Sequence, residues 1–125
     1  MRRQGRIPFF FHGLVEYVEA ALFIAAPFLF GFDDDAAQAV SIVVGVIVLV
    51  VTASTDGPAG LAKMVPVGIH AAFDLALAIF LIASPFLFGF NAEDGATAFF
   101  IVVGVVHLLL TIGTRFFAHG EPGTT

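Results

Sequence analysis

The chain has 125 residues, 59% of them hydrophobic and 12% charged, with 16 phenylalanines and neither cysteine nor tryptophan, and its mean hydropathy is +1.03. Soluble domains run at about 45–50% apolar and about 25% charged residues, so a water-soluble fold of this length lacks the polar surface to cover these side chains, and the bilayer is the expected solvent. The lack of cysteine excludes disulfides, thiolate metal sites and a cysteine nucleophile, and a formal net charge of −5 with no basic patch gives nucleic acid nothing to bind.

A basic tail with Arg2, Arg3 and Arg6 leads into a first apolar run from about Ile7 to Ala26. A cleaved signal peptide is the competing reading of this start, but Glu16 and Glu19 interrupt the run and no small-x-small cleavage site follows it. "DDDAAQ" (Asp33 to Gln38) joins it to a second run, about Ala36 to Ala53. "STDGPAGLAK" (Ser54 to Lys63) leads to a third, about Met64 to Ser84, and "NAEDGAT" (Asn91 to Thr97) to a fourth, about Thr97 to Phe117. A hydrocarbon core about 30 Å thick is crossed by about 20 helical residues rising about 1.5 Å each, so all four qualify as transmembrane helices. Pro8 and Pro66 stand near the starts of spans one and three, where a missing N–H costs little. Strands are disfavoured because the runs are too long and do not alternate.

The five basic residues, Arg2, Arg3, Arg6, Lys63 and Arg115, fall in the tail, the central loop and the C-terminal end, which four spans put on one side. The other two loops carry Asp33, Asp34, Asp35, Glu93 and Asp94 without Lys or Arg. The positive-inside rule then predicts that both termini are cytoplasmic.

The hexapeptide "PFLFGF" occurs at Pro27 to Phe32 and again at Pro85 to Phe90. With Pro27 set on Pro85, "ALFIAAPFLFGF" faces "AIFLIASPFLFGF", and after a one-residue insertion "IVVGV" at Ile42 faces "IVVGV" at Ile101. The chain therefore reads as one all-α membrane domain of two tandem helical hairpins, repeat one over about 7–53 and repeat two over about 64–117. Two-span units share an orientation, which predicts a pseudo-two-fold axis along the membrane normal. Pro27 and Pro85 are predicted to end or kink the odd-numbered helices. Phe28 and Phe86 are predicted to anchor at the interface, and Gly31 and Gly89 to let the chain turn. A ligand groove between the two Phe clusters is the alternative reading of the motif. Gly45 and Gly104 suit close helix packing, with Ser41 and Gly45 forming a small-xxx-small pair.

"APF" at Ala26 to Phe28 and "SPF" at Ser84 to Phe86, each followed by "LFGF", resemble the SPW repeat of small bacterial membrane proteins. The resemblance spans about Gly13 to Thr52 and about Ala71 to Thr111. It implies a membrane-embedded two-span unit and no established activity, and it points to a bacterial plasma membrane. The chain departs from the motif in that Phe28 and Phe86 hold the tryptophan position and Ala26 replaces the first serine.

Six ionisable residues fall inside the spans: His12, Glu16 and Glu19 in the first, His70 and Asp74 in the third, His107 in the fourth. Under the proline alignment His12 matches His70 and Glu16 matches Asp74, so each repeat carries a His-xxx-acid pair one helical turn apart. Glu19 matches Leu77 and His107 matches Val48, which breaks the symmetry. Glu16, Asp74 and His107 each lie about eight residues, roughly 12 Å, from the cytoplasmic end, with His12 and His70 one turn shallower. A charged residue mid-span costs about 2.5–3.5 kcal/mol on insertion scales, so all six are expected to face the bundle interior or a subunit interface.

Three readings of this cluster remain open: a polar network that fixes helix register, a metal or haem site, and a proton or ion path. His119, in the tail, reads as a solvated residue. No GxSxG, Walker loop, HExxH or dinucleotide fingerprint is present, and the few Ser and Thr lack an obvious base partner. The leading expectation is a non-enzymatic accessory or oligomerising membrane component without a cofactor, whose partners are the lipid bilayer and either further copies of itself or another membrane protein. The alternative is a small transporter or a metal- or haem-binding bundle built on the His/carboxylate cluster.

Overall fold

The computed structural model describes residues 6–115; Arg2, Arg3, Phe117 and His119 of the sequence reading lie outside them. Four helices follow one another: α1 (Phe9–Leu29), α2 (Asp35–Ser54), α3 (Val67–Leu87) and α4 (Asp94–Gly113), each long and apolar enough to cross a membrane. α1 packs along α2 and α3 along α4, the two expected hairpins. Their starts follow from local chemistry. Pro8 and Pro66, at φ −63° and −61°, precede α1 and α3. Asp34 caps α2 by accepting from the amides of Ala36 and Ala37 at 2.8 and 3.0 Å. Glu93, its counterpart in repeat two, instead accepts from the amides of Asp33 and Asp34 across the bundle, both at 3.0 Å. That exchange ties the two acidic loops together at one end.

Short extended segments, absent from the sequence reading, close the other end. Ile7–Pro8 (β1) runs parallel to Thr114–Arg115 (β2), and Thr55 forms a single parallel bridge with Val65. Ile7 and Val65 are repeat counterparts, as are Thr114 and Thr55, so the two pairings obey the internal symmetry. They also correct the fourth span, predicted to reach Phe117: the helix stops at Gly113 because Thr114 and Arg115 are extended against β1.

The prolines do not end their helices. α1 continues through Pro27 to Leu29 and α3 through Pro85 to Leu87. A proline at position 27 leaves the carbonyl of Phe23 without its intrahelical donor, and the hydroxyl of Ser41 on α2 donates to that carbonyl at 2.6 Å. Repeat two has no such cross-helix rescue: Ser84 donates at 2.6 Å to the Phe80 carbonyl of its own helix, one residue before the Leu81 carbonyl that Pro85 leaves without its intrahelical donor. The helices stop at Gly31 and Gly89, whose φ values of 65° and 74° lie in the left-handed region. Phe32 N–H then donates to the Pro27 carbonyl at 3.1 Å and Phe90 N–H to the Pro85 carbonyl at 2.9 Å, the six-residue closure of a Schellman cap.

This turn divides the motif's phenylalanines. Phe28 and Phe86 point outward, 77% and 62% exposed, whereas Phe32 and Phe90 fold back into the core. There Phe23, Phe90, Phe99 and Phe100 stack edge to face, with centroids 4.9–5.5 Å apart for Phe23 against Phe99 and Phe100 and 5.0 Å for Phe90 against Phe100. Gly45 lets α2 approach α1, since a Cβ there would meet the Ala20 carbonyl at 2.7 Å. The distribution is inverted relative to a soluble protein. Val18, Ile79, Val102 and Leu109 are exposed, whereas His12, Glu16, His70, Asp74 and His107 are fully buried or nearly so.

Candidate functional site

α1 and α3 bring their His-xxx-acid pairs face to face. His12 Nε2 lies 2.9 Å from Asp74 Oδ2 on the other repeat and 3.1 Å from Glu16 Oε2 on its own helix. His70 Nε2 lies 2.8 Å from Glu16 Oε1 and 3.1 Å from Asp74 Oδ2. Each imidazole thus bridges the carboxylates of both repeats. The sequence expectation that these groups turn inward holds for all six: every one is buried.

The outward nitrogens of the same rings are held by two residues the sequence reading passed over. Thr114 Oγ1 is 2.6 Å from His12 Nδ1, and Thr55 Oγ1 is 2.5 Å from His70 Nδ1. Each hydroxyl has one proton and gives it to a carbonyl one turn back, Thr114 to Leu110 at 2.5 Å and Thr55 to Val51 at 2.6 Å. The threonines therefore accept from the rings, and Nδ1 carries the N–H. In the neutral imidazole this leaves the Nε2 lone pair directed at carboxylate oxygens. Such contacts close only around a proton or a cation. The threonines correct the reading that no Ser or Thr meets a base, though as acceptors they are not nucleophiles.

His107 and Glu19, the two residues that break the repeat symmetry, find each other. His107 Nδ1 lies 2.9 Å from Glu19 Oε1, and His107 Nε2 faces Asp74 Oδ1 at 3.4 Å and Glu16 Oε2 at 3.8 Å. Three rings thus present Nε2 toward two carboxylates, each ring held from behind by Thr114, Thr55 or Glu19. One ligand atom from each of His12, Glu16, His70 and Asp74 lies within 4.8 Å of all the others. Thr52 adds a hydrogen bond to Glu16 Oε1 at 3.1 Å. Among the described residues, the buried polar side-chain atoms without an aligned hydrogen bond are Glu16 Oε2, Glu19 Oε2, Asp74 Oδ1, His107 Nε2 and Thr111 Oγ1. All but the last belong to this cluster, where Glu16 Oε2, Asp74 Oδ1 and His107 Nε2 sit 3.1–3.8 Å from one another or from His12 without aligning a hydrogen bond.

Phe9 closes the cluster toward the basic end, its ring edge-on to His12 and His70 at 5.9 and 5.6 Å. Gly57 makes room for it, since a Cβ there would come within 2.5 Å of the Phe9 ring. The central loop is pinned above by Tyr17, whose hydroxyl donates to the Ala59 carbonyl at 2.8 Å. The missed threonines did leave a trace in the sequence: "TAST" at Thr52 to Thr55 and "TIGT" at Thr111 to Thr114 place the same T-x-x-T at the end of both even-numbered helices.

Pro27 and Pro85, buried inside α1 and α3, the cap residues Gly31 and Gly89 and the outward-facing Phe28 and Phe86 lie at the opposite end of the bundle, away from the cluster. No curated protein and no solved structure matches the chain. The family model of the SPW repeat domain matches residues 10–114, which takes in both hairpins and every residue of the cluster. With two membrane-length hairpins joined in one repeat-symmetric bundle, the chain belongs to the SPW repeat domain family.

Proposed function

We propose that this protein binds one first-row divalent metal ion inside the membrane, ligated by His12, His70, Glu16 and Asp74, with His107 as a further ligand. One observation carries the reading: Nε2 of each ring faces the carboxylates while its Nδ1 is engaged from behind by Thr114, Thr55 or Glu19. That is the outer-shell arrangement that orients metal-bound imidazoles. Protons alone close pairwise contacts but leave Glu16 Oε2, Asp74 Oδ1 and His107 Nε2 without an aligned hydrogen bond, and a cation among the carboxylates would give these lone pairs a partner. Imidazole and carboxylate donors without thiolate suit zinc, manganese or ferrous iron. The same distances argue against haem, because rings whose Nε2 atoms lie 2.8–3.1 Å from carboxylates leave no slot for a macrocycle.

The ligands come from one chain, so the reading needs no second subunit. Charge sorting supports both termini lying in the cytoplasm, within the bacterial plasma membrane that the family resemblance implies: Arg6, Lys63 and Arg115 belong to the end closed by β1 and β2, and Asp33, Asp34 and Glu93 to the other. The test is titration of chelator-treated protein with Zn²⁺ in mild detergent. One equivalent is expected to bind, and the double variant Glu16→Gln/Asp74→Asn is expected to bind none while keeping its helix content. Unchanged zinc binding by that variant would sink the assignment and favour the accessory-component reading.

A further inference from the structure

The ionisable cluster is covered differently on its two sides along the bundle axis. Toward the acidic end the interior is apolar: Phe23, Leu81, Phe90 and Phe100 fill it at 1% exposure or less, and the hydroxyls of Ser41 and Ser84 already donate to the Phe23 and Phe80 carbonyls. An ion entering that half would leave every ligand of the cluster behind, and an unpaired charge in an apolar interior is strongly disfavoured. Toward the basic end the cover is thin. His12 and His70 lie four residues past Pro8 and Pro66, roughly 6 Å along the helix. Above them stand the half-buried ring of Phe9 and residues 57–60 of the central loop. A void of about 10 Å³ lies under that arch against Thr52, Thr55 and His70, about the room of one water molecule.

The feet of the arch are fixed by backbone hydrogen bonds, Asp56 N–H donating to the Val65 carbonyl at 2.7 Å and Leu61 N–H to the Ala53 carbonyl at 2.6 Å. Its tip meets α1 through side chains: the Phe9 ring against Gly57, Ala59 against Gly13, and the Tyr17 hydroxyl on the Ala59 carbonyl at 2.8 Å. The internal repeat supplies a comparison. Val67 stands at the position of Phe9 and Leu75 at that of Tyr17, so α3 forms without the ring or the hydroxyl, and both are particular to the cover over α1. We propose that the cluster's metal ion enters and leaves only from the basic end, through a gate made by Phe9 and the 57–60 arch and latched by Tyr17. The chain then holds an ion for one side of the membrane and does not carry it across. The gate rests on the reading of the cluster as a metal site, and the experiment separates the two.

The experiment is stopped-flow transfer of Zn²⁺ from the loaded full chain, in mild detergent, to an excess of a chromophoric chelator. Equilibrium competition with the same chelator gives the affinity, and the two together give the association rate. Phe9→Val, which copies the residue at Val67, and Tyr17→Phe are each expected to speed release at least about fivefold, the scale of one aromatic contact or one hydrogen bond. Affinity is expected to stay at the wild-type value, so association quickens by the same factor. Phe90→Val removes a ring from the opposite half and is expected to leave both rates unchanged. Should Phe9→Val fail to assemble, Tyr17→Phe tests the latch alone. Unchanged release in the gate variants, faster release matched by an equal loss of affinity, or an equal acceleration in Phe90→Val would each overturn the gate while zinc binding stands. A wild type that binds no zinc would instead remove the metal reading, and the gate with it.

Discussion

Thr55 and Thr114 hand their hydroxyl protons to carbonyls one turn back and keep only lone pairs for His70 and His12. In the metal reading this fixes the tautomer that presents Nε2 to the ion. Thr55→Val and Thr114→Val are each expected to lower zinc affinity about 10–100-fold, the usual loss for an outer-shell partner, and by similar factors because the repeat makes them equivalent. Thr→Ser at either position is expected to retain most of the affinity; competition with a chromophoric chelator measures both. His107→Val copies the residue at Val48 and removes the asymmetric ligand. It is expected to weaken binding without abolishing it, since His12 and His70 remain. The six ionisable residues were legible from the sequence because charge inside an apolar run stands out. The threonines were not, because a hydroxyl at a helix end is unremarkable until the fold sets it against a ring.

At the level of helices, Pro27 and Ser41 form a coupled pair. Removing the Ser41 hydroxyl leaves the Phe23 carbonyl buried and unpaired, so Ser41→Ala is expected to cost about 1–3 kcal/mol. Pro27→Ala restores an amide to that carbonyl. The double variant Pro27→Ala/Ser41→Ala is therefore expected to be more stable than Ser41→Ala alone, and a thermal denaturation cycle in detergent tests the coupling. The lengths of the apolar runs were enough to count four helices. Their ends were misplaced by three residues at Leu29 and Leu87 and by four at Gly113, and for α1 and α4 the determinants are distant in sequence: a hydroxyl from α2 serves the carbonyl freed by the proline in α1, and β1 stops α4 from more than 100 positions away (Ile7 against Thr114). Such contacts have no local signature.

The whole molecule is apolar outside and ionisable within, and its two ends differ in charge. Because the natural chain has no cysteine, single cysteines report orientation cleanly. Gly95→Cys, in the exposed first turn of α4 at the acidic end, is expected to react with a membrane-impermeant maleimide on intact cells, and Lys63→Cys only after permeabilisation; the opposite pattern would invert the topology. The duplication explains why the fold was readable: each hairpin repeats the other's signals, so the alignment itself located the inward faces of α1 and α3. Where the copies differ, at Glu19 and His107, the alignment marked positions without partners, and the fold joined them at 2.9 Å.

The most direct test of the intramembrane metal site is X-ray absorption at the zinc edge of protein loaded with one equivalent. Nitrogen and oxygen ligands at about 2.0–2.1 Å, with the multiple-scattering pattern of at least two imidazoles that is lost in His12→Ala/His70→Ala, is the result this account requires. A hexa-aqua-like spectrum, or one unchanged by that double substitution, would contradict it and leave the cluster as a proton-bridged network that holds the two repeats in register.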